Sequence, residues 1–250
     1  PTTMRIGFVS DIHSNKEALD AALAELDSMG IDRLYCMGDI VGYGAEPNYC
    51  ADVIRERAQA VVMGNHDYAV LHLEYAQHFN PYARAAAEWT AEQLSAANLA
   101  FLMGLETTQI REEVTLVHGS LRGGGNFEEY VQEVPQAKKS FEELKTRLVF
   151  VGHTHYPEVY IFDPESRQAR HTGLYNSGFM YLDEGKQYFV NIGSTGQPRD
   201  GDARSSCCLY DTEEGTIEII RVAYDIDAAA QKIIAAQLPE FLAQRLYVGR

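Results

Sequence analysis

The chain has 250 residues, of which 46% are hydrophobic and 23% charged, and its formal net charge at pH 7 is −15. This composition predicts an ordered globular chain with one substantial core and argues against a disordered one. The negative charge argues against a surface that binds a long nucleic acid or an anionic membrane, although bound divalent cations would reverse the field locally and admit a small phosphate ester.

The first part of the chain is predicted to repeat one unit, in which an apolar strand is followed by a loop and a helix. Ser14 and Glu17 read as a capping box for the first helix, Pro47 as the start of a second helix to residue 57, and Asn80 with Pro81 as the start of a helix to about residue 98. This alternation favours parallel pairing, and ligands of such sheets bind outside the carboxyl ends of the strands. The strands are predicted at residues 6–9, 34–37, 60–63, 114–117 and 148–151.

After residue 157 the pattern changes to short alternating strands separated by turns, which favours antiparallel pairing. Two closing helices are predicted at 225–237 and 239–246. With no linker or repeat, we predict one domain over residues 1–250, with metal-ligand loops in 11–155 and antiparallel strands and closing helices in 156–250. Its fold class is α/β, built from two packed mixed sheets flanked by helices.

The four cysteines show no C-x-x-C spacing and two of them are adjacent, which predicts free thiols rather than a disulfide framework. No apolar run approaches the roughly 20 residues of a membrane span, and the first strand leaves no room for a signal peptide. We therefore expect a cytoplasmic protein with no membrane partner. The cysteines are Cys36, Cys50, Cys207 and Cys208.

Polar clusters follow the apolar strands at the points where those strands end. Each cluster alone has an ordinary explanation, because Asp and Asn form caps and turns and a single His fills a core or is exposed. Their coincidence at one sheet edge predicts a two-metal site instead, in which a carboxylate bridges two ions and Asn65 supplies an amide oxygen beside the proton-transferring imidazole of His66. His72, His78 and His171 lack this context and are predicted to lie outside the site. The clusters are Asp11-Ile12-His13, Gly38-Asp39, Gly64-Asn65-His66-Asp67, Val117-His118-Gly119 and Gly152-His153-Thr154-His155.

These clusters resemble the signature of the calcineurin-like metallophosphoesterases. Residues 191–202 are also similar to a loop in a branch of small bacterial enzymes often called phosphodiesterases, so the resemblance extends over most of the chain. The resemblance implies a four-layer α-β-β-α sandwich with two bound divalent ions. It implies that one metal is held by Asp11, His13, Asp39 and His155, that the other is held by Asp39, Asn65, His118 and His153, and that His66 is the proton donor.

The chemistry of such a centre agrees with this assignment. Two ions lower the pKa of a bridging water, the resulting hydroxide attacks the phosphorus, and the His66 imidazole protonates the departing alkoxide. Asp67 or a main-chain carbonyl is expected to set the tautomer of His66. Mixed oxygen and imidazole ligands suit Mn, Fe, Co, Ni or Zn, among which we favour Mn.

One departure from the family pattern bears on the substrate. Phosphoprotein phosphatases of this superfamily carry Gly-Asp-x-Val-Asp-Arg-Gly, whereas Gly42 and Tyr43 stand here in the places of the second Asp and the Arg. A phosphodiester has one charge fewer than a monoester dianion and depends less on that arginine, so we predict a preference for small phosphodiesters.

Arg122 and Arg199 are candidate substitutes for the missing phosphate contact, although a solvated loop cation explains each of them equally well. The glycines at 123–125 lack the ending of a phosphate-binding P-loop and indicate a flexible loop beside His118. Three alternatives stay open: a hydrolase of nucleotide phosphoanhydrides or phosphomonoesters, a non-catalytic scaffold on the same fold, and a nuclease, which the acidic surface disfavours.

Overall fold

A computed structural model describes residues 3–174 and 178–250; the predicted domain also includes residues 1, 2 and 175–177, which lie outside the described residues. The chain begins with strand-loop-helix units, as the alternating pattern predicts. The elements of this first part are β1 (Arg5–Val9), α1 (Lys16–Ser28), β2 (Arg33–Cys36), α2 (Pro47–Arg57), β3 (Ala60–Val61), α3 (Asn65–Leu71), α4 (Leu73–Ala76), α5 (Pro81–Gln93) and α6 (Ala96–Met103).

The second part is rich in strands and ends in two helices. Its elements are β4 (Thr108–Arg111), β5 (Val114–Val117), a 3₁₀ turn (Arg122–Gly124), α7 (Val134–Glu143), β6 (Leu148–Val151), β7 (Pro157–Asp163), β8 (Gln168–Gly173), β9 (Phe179–Tyr181), β10 (Gln187–Ile192), β11 (Ser205–Asp211), β12 (Thr216–Val222), α8 (Ile226–Ala235) and α9 (Glu240–Val248).

Within the described ranges the strands form two mixed six-stranded sheets, with the orders β3-β2-β1-β11-β12-β9 and β4-β5-β6-β10-β7-β8. The neighbours β1, β2 and β3 are parallel, as are β5, β6 and β10. The remaining pairs are antiparallel. The prediction of two packed mixed sheets is confirmed. The strands after residue 157 were predicted to be antiparallel, and the structure differs where β10 pairs with β6 in parallel.

The two sheets pack face to face through apolar side chains. Phe8 of β1 stacks on Phe150 of β6 with ring centroids 3.8 Å apart, and both rings are fully buried. Leu19 of α1 belongs to an apolar cluster on the outer side of the first sheet, and Phe141 of α7 packs with Phe189 of β10 on the outer side of the second. Strands covered on both faces must be apolar throughout, which explains the continuous apolar runs in the sequence.

Several element boundaries differ from the sequence prediction for local reasons. The cap of α1 is Asn15, whose side-chain oxygen accepts a hydrogen bond from the Ala18 N–H at 3.1 Å, so the predicted capping box at Ser14 is wrong by one residue. Glu17 instead forms an ion pair with Lys232 of α8. The predicted helix to residue 98 ends at Gln93, and Ser95 caps a separate helix, α6.

The four cysteines are free and buried, which confirms the prediction of unpaired thiols. Of the helices in the described part of the chain, none combines the length and the hydropathy needed to cross a membrane.

Candidate metal centre

The polar clusters meet at the carboxyl ends of parallel strands from both sheets. Asp11 and Asp39 follow β1 and β2 in the first sheet, whereas His118 and His153 follow β5 and β6 in the second. All four side chains are at least 97% buried. The facing sheets therefore bring together residues that are separated by up to 142 positions in the sequence.

Two groups of side chains have the spacing of metal ligands. Asp11, His13 and His155 form one group, and Asp39, His118 and His153 form the other; within each group the potential ligand atoms lie within 4.8 Å of one another. In the first group Asp11 Oδ1 lies 3.2 Å from His155 Nε2. In the second, Asp39 Oδ2 lies 3.3 Å from His118 Nε2.

The two groups share their carboxylates. Asp39 Oδ2 also lies 3.6 Å from His13 Nε2, and Asp11 Oδ1 lies 3.9 Å from His118 Nε2, so each carboxylate faces an imidazole of the other group. A carboxylate can bind two ions at once, so this placement is compatible with two adjacent cations.

Main-chain carbonyls orient three of the imidazoles. His13 Nδ1 lies 3.0 Å from the Val41 oxygen, His118 Nδ1 lies 2.6 Å from the Met37 oxygen, and His155 Nδ1 lies 2.6 Å from the Gln197 oxygen. A carbonyl only accepts hydrogen bonds, so Nδ1 carries a proton in each ring and Nε2 is the nitrogen that faces the site. This is the arrangement by which outer contacts orient metal-binding histidines.

His153 is orientated in the opposite sense. Its Nε2 lies 3.2 Å from the Glu128 oxygen, which leaves Nδ1 as the free acceptor. The ring also stacks on Tyr130 at a centroid distance of 3.8 Å.

The donor set fits a pair of cations. With Nδ1 protonated, the Nε2 lone pairs of His13 and His155 face each other at 3.2 Å. Asn65 Oδ1 is buried and has no hydrogen-bond donor among the described residues. Acceptors packed against acceptors repel one another unless positive charge lies between them.

The electrostatics of the centre favour positive charge. Although burial opposes the shift, the Asp39 and Asp11 carboxylates raise the pKa of His118 to about 10. Burial likewise opposes the effect of His155 and His118, which hold the pKa of Asp11 below its usual range.

Several residues of the centre have strained backbone conformations, and glycines in the same loops allow those loops to pack closely. Asp11, Asp39 and His153 have φ values of 49°, 52° and 71°, in the left-handed region that side chains rarely adopt. Glycine makes the close packing of these loops possible: a Cβ on Gly64 would lie 2.1 Å from Asp39 Oδ1, and one on Gly152 would lie 2.1 Å from Asp11 Oδ2.

His66 lies beside the ligand groups in an enclosed aromatic setting. Its ring centroid lies 4.9 Å from that of His13, 4.5 Å from Tyr43 and 4.6 Å from Phe79. Burial lowers its pKa to about 4. Its Nδ1 has no hydrogen-bond partner in the part of the chain that the structure covers.

Asp67 or a main-chain carbonyl was expected to orient His66, and among the described residues neither bonds to its Nδ1. The Asp67 carboxylate accepts hydrogen bonds from the N–H groups of Asp39, Ile40, Val41 and Gly64 instead. It therefore holds the loop that carries Asp39, which is a structural role. Sequence adjacency suggested the contact with His66, but α3 starts at Asn65 and turns the two side chains in different directions.

Arg199 and Arg122 lie in different settings. Arg199 Nη2 lies 2.8 Å from Gln197 Oε1 and 3.5 Å from the hydroxyl of Tyr43, whose ring contacts His66. The side chain of Arg122 is 61% exposed and lies 3.7 Å from Glu129, and the N–H groups of the glycines that follow it bond to Glu143.

The stretch at 191–202 supports the first ligand loop. The N–H of Thr195 donates to the Ser10 oxygen at 2.8 Å, and the N–H of Gly196 donates to the Asp11 oxygen at 2.9 Å. The Asn191 amide donates to the Gly152 oxygen at 2.7 Å. This stretch therefore connects the loops that carry Asp11 and His153.

The remaining histidines differ from those at the centre. Among the described residues, neither ligand group includes His72, His78 or His171. His171 lies 2.8 Å from Glu158 on the neighbouring strand. The contribution of Tyr130 was missed by sequence analysis, because nothing in its neighbourhood distinguishes it from other loop tyrosines. Tyr43 was identified only as the residue in the place of the phosphatase arginine, and its contact with His66 was not predicted.

Comparisons with known proteins agree with this geometry. The calcineurin-like phosphoesterase superfamily domain matches residues 4–215. An uncharacterised protein of Methanocaldococcus jannaschii is 40% identical over 249 residues, which cover 98% of each chain. The crystal structure of a metallophosphoesterase from Sphaerobacter thermophilus has 35% identity and a TM-score of 0.87, with full coverage of both chains. A hypothetical protein from Pyrococcus horikoshii shares the fold, with 20% identity, a TM-score of 0.76 and 98% coverage of both chains.

Proposed function

The chain belongs to the calcineurin-like phosphoesterase superfamily, and from this premise we propose that it is a binuclear metal-dependent hydrolase of small phosphodiesters. The observation that carries the proposal is the pair of buried Asp/His groups that share their carboxylates. Metal dependence is a property of the family, and the two groups are where the ions would be held.

Asp11, His13, Asp39 and His155 would hold one ion, and Asp39, Asn65, His118 and His153 would hold the other. Bound ions supply positive charge to phosphoryl oxygens and lower the pKa of a water molecule at the site. The mixed ligand set suits Mn, Fe, Co, Ni or Zn, and we favour Mn²⁺ among these because carboxylate and amide oxygens suit it. The cytoplasm is the proposed location, since the four thiols are unpaired.

His66 is the proposed donor of a proton to the departing oxygen. The ring is held between Tyr43 and Phe79, beside the ligand groups but outside them. Burial lowers its pKa, and an anionic phosphoryl group bound next to the ring would act in the opposite direction and favour the imidazolium. Substrate binding would therefore prepare the group that releases the proton.

The proposed preference for diesters rests on Tyr43, which stands where the phosphoprotein phosphatases carry an arginine, because a diester has one charge fewer than a monoester dianion and depends less on that arginine. Arg199, from the loop after β10, approaches the Tyr43 ring and is a candidate for a separate contact with substrate. Arg122 is more exposed and is paired with Glu129, so Arg199 is the better candidate for a contact with substrate.

The experiment that tests this function is hydrolysis of bis-p-nitrophenyl phosphate by metal-stripped protein refilled with Mn²⁺. Asp39→Asn should lose bound Mn²⁺ together with activity, whereas His66→Ala should lose activity and retain Mn²⁺. His78→Ala is the matched control, because His78 is exposed and outside both groups. A wild type that binds two ions per chain and hydrolyses no diester would refute the proposal and favour a scaffold.

A second comparison isolates the role of His66. A proton donor matters more for a poor leaving group. His66→Ala should therefore slow the hydrolysis of methyl phenyl phosphate by a larger factor than the hydrolysis of methyl p-nitrophenyl phosphate. Equal losses on the two esters would show that His66 acts in some other way. Comparable kcat/KM values for p-nitrophenyl phosphate and bis-p-nitrophenyl phosphate would contradict the preference for diesters.

A further inference from the structure

Arg245 of the closing helix lies beside the same tyrosine ring as Arg199. The guanidinium carbons of both arginines lie 5.8 Å from the centroid of the Tyr43 ring. Leu242 and Leu246, which flank Arg245 on α9, pack with Tyr43 in one apolar cluster, so the helix is docked against the residue that both arginines approach. One cation comes from a loop and the other from helix α9, and tertiary packing brings both to the Tyr43 ring.

Neither arginine is paired with an acidic side chain. Arg199 donates to Gln197 Oε1, an uncharged amide, and lies 3.5 Å from the Tyr43 hydroxyl. Arg245 donates to an oxygen of Arg250, the last residue of the sequence, and lies over the ring of Phe241. Across residues 3–174 and 178–250, no Asp or Glu side chain forms an ion pair with either guanidinium. This is notable in a chain with 36 acidic and 21 basic residues.

The two charges act on each other. Burial, followed by the charge of Arg199, lowers the pKa of Arg245 to about 10. Like charges held together next to a buried site gain stability from a bound anion, and the planar guanidinium matches a phosphate or carboxylate in shape.

We infer that Arg199 and Arg245 form a second anion subsite, which selects substrates whose leaving group itself bears a phosphate or carboxylate. This inference rests on the proposed phosphodiesterase function and narrows its substrate class. The side is that of the leaving group because the arginines flank Tyr43, and Tyr43 contacts His66, the proposed proton donor. Arg245 is thus a specificity-determining residue that lies outside the metal ligands.

The test compares two chromogenic diesters that differ in one charge. The leaving group of methyl p-nitrophenyl phosphate has no carboxylate, whereas the leaving group of methyl 3-carboxy-4-nitrophenyl phosphate carries one. The wild type should have the higher kcat/KM for the second ester, and 0.5 M NaCl should reduce the ratio because salt screens the interaction. Arg245→Gln and Arg199→Gln should each lower the ratio of charged to neutral kcat/KM by about tenfold, the loss expected for a charge-assisted hydrogen bond.

Two further variants keep the result interpretable. Arg245→Lys retains the charge without the planar fork and should keep part of the ratio. Arg55→Gln makes the same charge change on the exposed last turn of α2 and should leave both rates unchanged. Mn²⁺ content and melting temperature show that each variant is folded and loaded.

The outcomes separate the two proposals. The subsite is overturned if the neutral ester is hydrolysed and the ratio of charged to neutral kcat/KM is equal in the wild type, Arg245→Gln and Arg199→Gln. That result would leave the proposed function standing. Failure of the wild type on both esters with two ions bound would overturn the function and the subsite with it. A ratio that falls in both glutamine variants and partly recovers in Arg245→Lys supports the subsite.

Discussion

Replacing the Asp67 carboxylate by an amide should cost the fold several kcal/mol. Asp67 is fully buried; Oδ2 accepts from the N–H groups of Asp39 and Gly64 at 2.8 and 3.1 Å, and Oδ1 accepts from those of Ile40 and Val41 at 2.9 and 3.3 Å. In Asp67→Asn the amide NH₂ replaces one oxygen and faces two N–H donors, whichever way it is turned. Two buried N–H groups lose their acceptor, at about 1–3 kcal/mol each, which gives about 2–6 kcal/mol. Burial and the charge of Asp39 raise the pKa of Asp67 to about 7, so removal of a carboxylate that the fold disfavours offsets part of this loss.

Urea unfolding of the metal-stripped protein measures this loss. Asp225→Asn is the matched control, because the Asp225 side chain accepts one backbone N–H, that of Ala228 at 2.9 Å, as the cap of α8. Asn caps helices as well as Asp does, so the control should lose less than about 0.5 kcal/mol. Asp67→Asn should also bind Mn²⁺ more weakly, since the loop that carries Asp39 loses its anchor. A loss for Asp67→Asn no larger than that of the control would refute the reasoning.

Three further predictions follow from the same geometry. Gly152→Ala places a Cβ 2.1 Å from Asp11 Oδ2 and should weaken Mn²⁺ binding in a calorimetric titration, whereas Gly104→Ala, whose Cβ would meet its nearest atom at 3.5 Å, should not; equal titrations would contradict this. Arg221→Met leaves the buried Asp200 carboxylate without its partner and should cost about 3–5 kcal/mol in urea unfolding, and the double variant with Asp200→Leu should recover part of that loss. Burial raises the pKa of all four cysteine thiols and so lowers their thiolate fraction, and iodoacetamide at pH 8 should label them only after unfolding; rapid labelling of the native protein, seen by mass spectrometry, would oppose this view.

The sequence was sufficient to predict the central strands. Two strands, at residues 114–117 and 148–151, have their predicted bounds. Their apolar runs are visible in the sequence because both faces of these strands are buried in the fold. The edge strands β4 and β8 were missed. Gln168–Gly173 is partly exposed along its length and has no apolar alternation, so its strand conformation depends on hydrogen bonds to β7.

The same distinction applies to the candidate site. The predicted ligand residues Asp11, His13, Asp39, His118, His153 and His155 lie together, because strand ends of parallel units converge and the polar residues after them are visible in the sequence. Their individual roles remain predictions. The carbonyl contacts that orient three imidazoles could not be predicted, since they come from loops with no side-chain signature.

The sequence by itself determined the α/β layering and the residue types at the centre, because apolar periodicity and the chemistry of Asp, Asn and His are local properties. Tertiary structure alone decided that Asp67 bonds to the Asp39 loop rather than to His66, and that Arg245 joins Arg199 beside Tyr43. Arg199 and Arg245 lie 46 positions apart and belong to different elements, one to a loop and one to a helix. Contacts of this kind depend on how helices and loops pack in three dimensions, and such packing leaves no periodic signal along the chain.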